Sequence, residues 1–313
     1  MSPSKDRDGL LALIVGMAMV TVIVLGVLAF APIEPFSSHE DWAYQEPGSL
    51  ESLHISVDAD VCDIEVSFGD LVGSWVEVGM SIEGRSGYIA GDPDINFTVT
   101  SGLNGANLTV LVELNMETGP TVTYDGSDII VIIDRSLPTF MEIEVDVGDA
   151  VITVPENASL TGAAVHTDVG GLHMHLEEGA RSGNLNLISD VGSVNLDCKD
   201  ALFEEGARVT AETGTGSIYL DIERSSSSQG NLTFDCLANV GSVYLVLNVA
   251  GDTSVEITSQ ANVGDIETVL VGFSGMDVHL VSDNHPDVWS VELMLEADVG
   301  SVHIEAEWRG SDG

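Results

Sequence analysis

Asp146, Asp168 and Asp190 each open an Asp-Val-Gly tripeptide, and Asn239, Asn262 and Asp298 open the same phrase farther along the chain. Carboxylates that recur at constant spacing, and that a regular fold would bring into one column, attract Ca2+ or Na+ as loosely held counterions. A tight turn selects the same residue types at its first position, where the side chain accepts a hydrogen bond from the backbone two residues on. The Asp residues are therefore read first as turn caps and only second as cation ligands. His173-Met174-His175 forms another grouping, with both imidazoles on one face of an alternating run and His166 and Asp168 just before it. Zn2+ or Cu2+ is the chemistry such a set would serve. No neighbouring copy supplies Cys or His in register, so no cofactor beyond loosely held Ca2+ or Na+ is expected.

The chain carries no nucleophile elbow, phosphate-binding loop or zincin helix. No catalytic or cofactor-binding residue is assigned, and the protein is read as not an enzyme. The catalytic rival is a carbohydrate-active β-helix, which works with outward Asp beside basic residues. Here Arg181, Arg208 and Arg224 are expected in linkers, away from any Asp pair.

The elements that must position these residues follow from the repeat. Measured from the first residue of each phrase, and counting the looser copy Gly214-Thr215-Gly216-Ser217, the intervals are 22, 22, 24, 25, 23 and 36 residues. A period near 23 means one supersecondary unit stacked many times. Alternation on both sides of the phrase, as in Asn184-Leu185-Asn186-Leu187 and Val194-Asn195-Leu196-Asp197, is the pattern of half-buried strands. Each unit is strand, turn, strand, with Gly at a positive φ suited to a type II turn. One face carries Ala150, Ile152 and Val154, then Leu172, Met174 and Leu176, and so on to Val302 and Ile304, and forms the core. The other carries Val151, His173, Asn195, Tyr219, Tyr244, Glu267 and His303, and faces solvent. Two architectures fit, a β-solenoid with the phrase at its corner and a meander of hairpins. Asp-Val-Gly lacks the Asn-Gly or Asp-Gly signal of two-residue hairpins, which favours the solenoid. An outlying copy, Asp60-Val61-Cys62-Asp63, has Cys where Gly belongs and is expected to turn differently.

Leu10 to Ala31 is 22 residues without a charge. A helix of that length spans roughly 33 Å, against a hydrocarbon core of about 30 Å. Lys5 and Arg7 precede it and Glu34, Glu40 and Asp41 follow, which orients the N-terminus inward. The segments expected are a cytoplasmic N-terminus (1–9), a transmembrane helix (10–31), a linker (32–50), an irregular β lead-in (51–145), β-solenoid repeats (146–308) and a tail (309–313). Cleavage after Ala31 and a pilin-like cut after Gly9 are the alternatives to a permanent anchor. Outside the membrane, Asn96, Asn107, Asn157 and Asn231 head sequons and are glycan acceptor candidates. Cys62, Cys198 and Cys236, an odd count, are read as core thiols.

The formal net charge is −42, from 51 acidic and 9 basic residues. Lys5 and Arg7 balance Asp6 and Asp8, so all of it lies beyond the apolar segment. Such a surface excludes nucleic acid and anionic lipid headgroups as partners. It suits a salty exterior where self-repulsion is screened, and with little lysine it is halophilic-like and archaeal-like in composition.

The run Ile132-Ile133-Asp134-Arg135-Ser136-Leu137-Pro138, then Met141 to Val145, Asp146-Val147-Gly148-Asp149 and Val151-Ile152-Thr153-Val154, resembles the adhesin-like, or toast-rack, β-repeat families of prokaryotic surface proteins. The likeness runs from Ser52 to Trp308, with Val-Gly in place of the more usual Ser-Gly. It implies an all-β, right-handed β-solenoid held at the cell membrane. The function expected is that of a single-pass, non-enzymatic surface protein with its C-terminal domain extracellular, serving adhesion, envelope organisation or sensing. Its partners are the membrane itself, envelope proteins or surface polysaccharide. A pilin-like filament subunit is the first alternative and a carbohydrate-active β-helix the second.

Overall fold

A computed structural model describes residues 33–45, 48–87, 93–116, 122–225, 231–251, 253–285 and 289–310. The expected transmembrane helix, the segment before it and the last three residues of the tail lie outside this range. Among the described residues no helix is long and apolar enough to cross a membrane.

The described chain is all strand and turn, arranged as two large sheets that enclose one apolar core. Its first part contains β1 (Ile33–Tyr44), β2 (Ser52–Val61), β3 (Asp63–Gly69), β4 (Val76–Gly87), β5 (Ile95–Asn104), β6 (Asn107–Met116) and β7 (Val122–Asp134). β1 lies inside the stretch expected as linker. It is held along its whole length by antiparallel pairing with β4, and its apolar Phe36 and Trp42 pack on the core.

The repeats follow as strand pairs flanking each phrase: β8 (Thr139–Val147) with β9 (Ala150–Val154), β10 (Ser159–Val169) with β11 (Leu172–Leu176), and β12 (Arg181–Val191) with β13 (Val194–Lys199). After the short β14 (Leu202–Phe203) come β15 (Ala207–Thr215) with β16 (Ile218–Arg224), β17 (Leu232–Val240) with β18 (Val243–Ala250), and β19 (Thr253–Val263) with β20 (Ile266–Val271). The last units are the hairpin β21 (Phe273–Met276) and β22 (His279–Ser282), then β23 (Trp289–Val299) with β24 (Val302–Arg309). Arg181, Arg208 and Arg224 are thus strand residues, not linker residues, and Arg224 is buried.

The first strand of each unit joins a thirteen-strand sheet and the second an eleven-strand sheet. Equivalent strands pair in parallel, not as hairpins, with like positions opposite one another: Leu172, Val194, Ile218, Val243 and Val302 are successive neighbours. The core column read from the sequence is buried throughout, each of its side chains at most 2% exposed. Neighbouring units cover one another's apolar rows, which no single two-strand unit could do alone.

The units do not stack in chain order at either end. β6 and β7 lie outside β2 and β3, while β23 and β24 insert between β17–β18 and β19–β20. The 36-residue interval before the last phrase accommodates this excursion and the β21–β22 hairpin, which caps β19 in antiparallel fashion. At the other end β1, β4 and β5 supply antiparallel caps. Such caps blunt edges that would otherwise offer a row of open backbone groups.

The corners that carry the phrase's glycine are built alike. Gly192 has φ +158° and Gly216 φ +156°, far from the +80° of a type II turn and in a region open to Gly alone. A Cβ on Gly216 would lie 1.8 Å from the Gly192 carbonyl oxygen, and one on Gly192 would lie 1.8 Å from that of Gly170. The glycine is needed for close rung-to-rung approach as much as for its dihedral. Cys62 has no positive φ and so does turn differently, as expected; its carbonyl sits where a Cβ on Gly148 would fall.

Candidate binding face

Parallel, in-register stacking turns each outward position of the repeat into a row across the sheet. The phrase's first residue forms one such row along the corner of the thirteen-strand sheet. Asp60, Asp146, Asp168 and Asp190 are successive neighbours, since the residues on either side of them pair in register; Gly214 then interrupts the carboxylates. Farther on, Asn262 donates from Nδ2 to Asp298 Oδ1 at 2.6 Å. Two strand positions before Asp168, His166 also faces outward, and its Nε2 lies 3.5 Å from Asp168 Oδ1 and 3.4 Å from Asp190 Oδ1. The surrounding face is acidic, with Asp58, Glu113, Glu142 and Glu144 on the adjoining strands. Partial burial, and after it the charges of Asp146, Asp60 and Glu113, raise the Asp58 carboxyl above its usual range.

His173 and His175 lie on the other sheet. The chain turns its corner between β10 and β11, so His166 and Asp168 point outward from one side of the molecule and the two imidazoles from the opposite side. The grouping read from the sequence is thereby divided. His173 Nε2 is 3.4 Å from Asn195 Nδ2, and His175 Nδ1 is 3.0 Å from Asp197 Oδ2, which Lys199 Nζ also reaches at 3.2 Å.

On that opposite side runs a row made of Val151, His173, Asn195, Tyr219, Tyr244 and His303, one residue from each of six adjacent strands. It contains no carboxylate. The Tyr219 and Tyr244 rings stack with centroids 4.8 Å apart and planes 4° from parallel, and Tyr244 and His303 stack at 4.7 Å and 5°. That distance is the spacing between strands, so the aromatic stack follows directly from register. His303 Nδ1 lies 3.1 Å from Glu267 on β20, where the acid-free stripe ends. Over the stripe lies a shallow open recess of about 420 Å3, lined by His173, Asn195, Tyr219 and Tyr244 and, from the adjoining row, by Asp197 and Asp221. Edge-on tyrosines, imidazoles and an amide present apolar rims with both donors and acceptors.

A feature the sequence reading missed is the role of the phrase's fourth residue. Ser193 Oγ accepts from Ser217 N at 3.3 Å, Ser217 Oγ from Ser242 N at 3.3 Å, Ser242 Oγ from Ser301 N at 3.2 Å, and Ser301 Oγ from Asp265 N at 3.3 Å. Asp149 plays the same part toward Gly171 N at 2.6 Å, and Asp63 toward Asp149 N at 2.8 Å. The recurrence of Ser or Asp at that position was the signal. A second device sits just inside the corner, where the buried Ser189 and Thr213 donate to the carbonyls of Gly170 and Gly192, each at 2.8 Å.

The four sequon asparagines, Asn96, Asn107, Asn157 and Asn231, are all exposed, and Asn157 has φ +65°. Cys62, Cys198 and Cys236 are buried free thiols. Burial pushes the Cys62 thiol up to about 12 and raises the other two as well.

No protein family model matches the chain, and no curated protein matches it. Solved structures to which it is similar include a candidate cell adhesion protein from Clostridium sporogenes, at 13% identity over 87% of this chain and 100% of that one, with a TM-score of 0.41. Others are candidate adhesins from Bacteroides fragilis (11% identity, 86% and 96% coverage, TM-score 0.35) and Parabacteroides merdae (10%, 87% and 95%, 0.31). These are proteins of the adhesin-like kind that the sequence resembles.

Proposed function

We propose that this chain is a non-enzymatic surface protein, tethered to the cell membrane by Leu10–Ala31 and displaying a right-handed β-solenoid outside. Its role is adhesion to, or organisation of, the envelope, through the acid-free stripe from Val151 to His303. The observation that carries this reading is the stripe itself: six successive strands present no carboxylate along one row of a molecule with 51 acidic residues. The right hand follows from the handedness of parallel β crossovers. β1 begins two residues after the apolar segment and forms one edge of the eleven-strand sheet, with Tyr219 seven strands away. At about 4.8 Å per strand the aromatic part of the stripe stands about 34 Å from that edge. Exposed sequon asparagines fit an exported domain, and the acidic remainder fits a saline exterior.

An uncharged surface polysaccharide is the partner whose chemistry suits hydroxyl-rich, edge-on aromatic groups within a repulsive acidic frame. Binding of the full chain in detergent to neutral polysaccharide extracted from the native envelope tests this. Substituting both Tyr219→Ala and Tyr244→Ala is expected to weaken binding at least about tenfold, the scale of two lost aromatic contacts. Unchanged binding by a correctly folded double variant would remove the stripe from the reading.

A further inference from the structure

We propose that His166, Asp168 and Asp190 form a binding site for a divalent first-row transition metal, on the side of the molecule opposite the stripe. The three side chains offer one imidazole nitrogen and two carboxylate oxygens that all lie within 4.8 Å of one another. His166 Nε2 is 3.4 Å and 3.5 Å from the two carboxylate oxygens. A tetrahedral centre with ligands at about 2.1 Å holds its ligand atoms about 3.4 Å apart, so the imidazole already stands at ligand spacing from both carboxylates. The site is a product of the stacking. His166 and Asp168 are two residues apart on β10 and share a face, while Asp190 is Asp168's neighbour across the β10–β12 pairing.

Among the described residues, only this rung has the right combination. In the row containing His166, the neighbouring positions are Asp58, Glu144, Ile188, Glu212, Leu237, Glu296 and Gln260, none of which offers a nitrogen ligand of this kind. An imidazole among carboxylates selects Zn2+ and its neighbours over Ca2+ or Na+, whose preference is for oxygen alone. Glu144, paired with His166 across β8, and Asp146, beside Asp168, add negative charge around the cation. The ligands are a third to two-thirds exposed, which leaves the remaining coordination positions to water and makes this an open site rather than a closed structural one.

Co2+ is the probe, because its visible absorption reports coordination directly. The full chain, purified in detergent without a histidine tag, is expected to bind one equivalent of Co2+ saturably near neutral pH and to lose the spectrum when Zn2+ is added. His166→Gln and Asp190→Asn should each weaken binding by about tenfold or more while leaving the metal-free melting temperature in place. His173→Gln and His175→Gln, on the opposite sheet, should leave Co2+ affinity unchanged. Absence of saturable Co2+ binding would mean that His166 is only an ion-pair partner and would overturn the site. So would binding that survives His166→Gln but is lost in His175→Gln.

Discussion

At the scale of single residues, the corner glycines are the least replaceable positions in the chain. Gly216 combines a backbone conformation closed to other residues with a carbonyl 1.8 Å from where a Cβ would stand. Gly216→Ala is expected to lower stability by at least about 3 kcal/mol, read from the urea midpoint. Gly102, exposed on β5 with nothing within 4 Å of its would-be Cβ, should tolerate Ala with little change. The buried thiols give a pH signature whose sign is fixed by their environment. The folded protein holds the Cys62 proton up to about 12, whereas the unfolded chain releases it near 9.0. This contribution is full below about pH 9 and is lost as pH rises toward 12. A melting temperature that is flat to pH 8 and falls above pH 9, with a shallower fall in Cys62→Ala, is the expected result. Thiol reagents at pH 8 should label none of the three cysteines until the protein is unfolded.

At the scale of elements, the repeat was legible and the order of the rungs was not. Alternation predicts burial because it is local: Leu172, Met174 and Leu176 turn inward whatever lies beside them. The Asp-Val-Gly phrase likewise marks each corner, although the turn is not of type II, because a neighbouring carbonyl crowds the glycine. Which rung neighbours which is a different matter, since every corner offers the same glycine face and nearly the same Ser or Asp acceptor. β23 can therefore dock between β17 and β19 as readily as after β19. Only the long interval before Asp298, with the capping hairpin inside it, marks the exchange. His166 and Asp168 are parted from His173 and His175 for a related reason: proximity along the chain across a corner is separation in space. Ser217 shows how the rungs are held, taking a hydrogen bond from Ser242 N and giving its own N–H to Ser193 Oγ. Ser217→Ala is expected to cost about 1 kcal/mol, and amide exchange should quicken at Ser242 before it does in the next rung.

At the scale of the whole molecule, the two faces differ in the rows they carry. The thirteen-strand sheet turns the row from Asp60 to Asp190 outward, the eleven-strand sheet carries the neutral stripe beside a row that contains Asp197, Asp221 and Glu305, and the stacked register keeps each row continuous across neighbouring strands. A net charge of −42 repels itself over about 10 Å at 0.1 M salt and about 3 Å at 1 M. The melting temperature should rise from near salt-free buffer to molar NaCl; equal midpoints would remove the saline-exterior reading. The division of faces is most directly tested by photo-crosslinking in the native envelope, with a benzophenone side chain at Tyr244 on the stripe or at Asn186 on the acidic side. Adducts to envelope polysaccharide from position 244 and none from position 186 are the expected result. Adducts from position 186 alone, or equally from both, would contradict a binding face confined to the stripe.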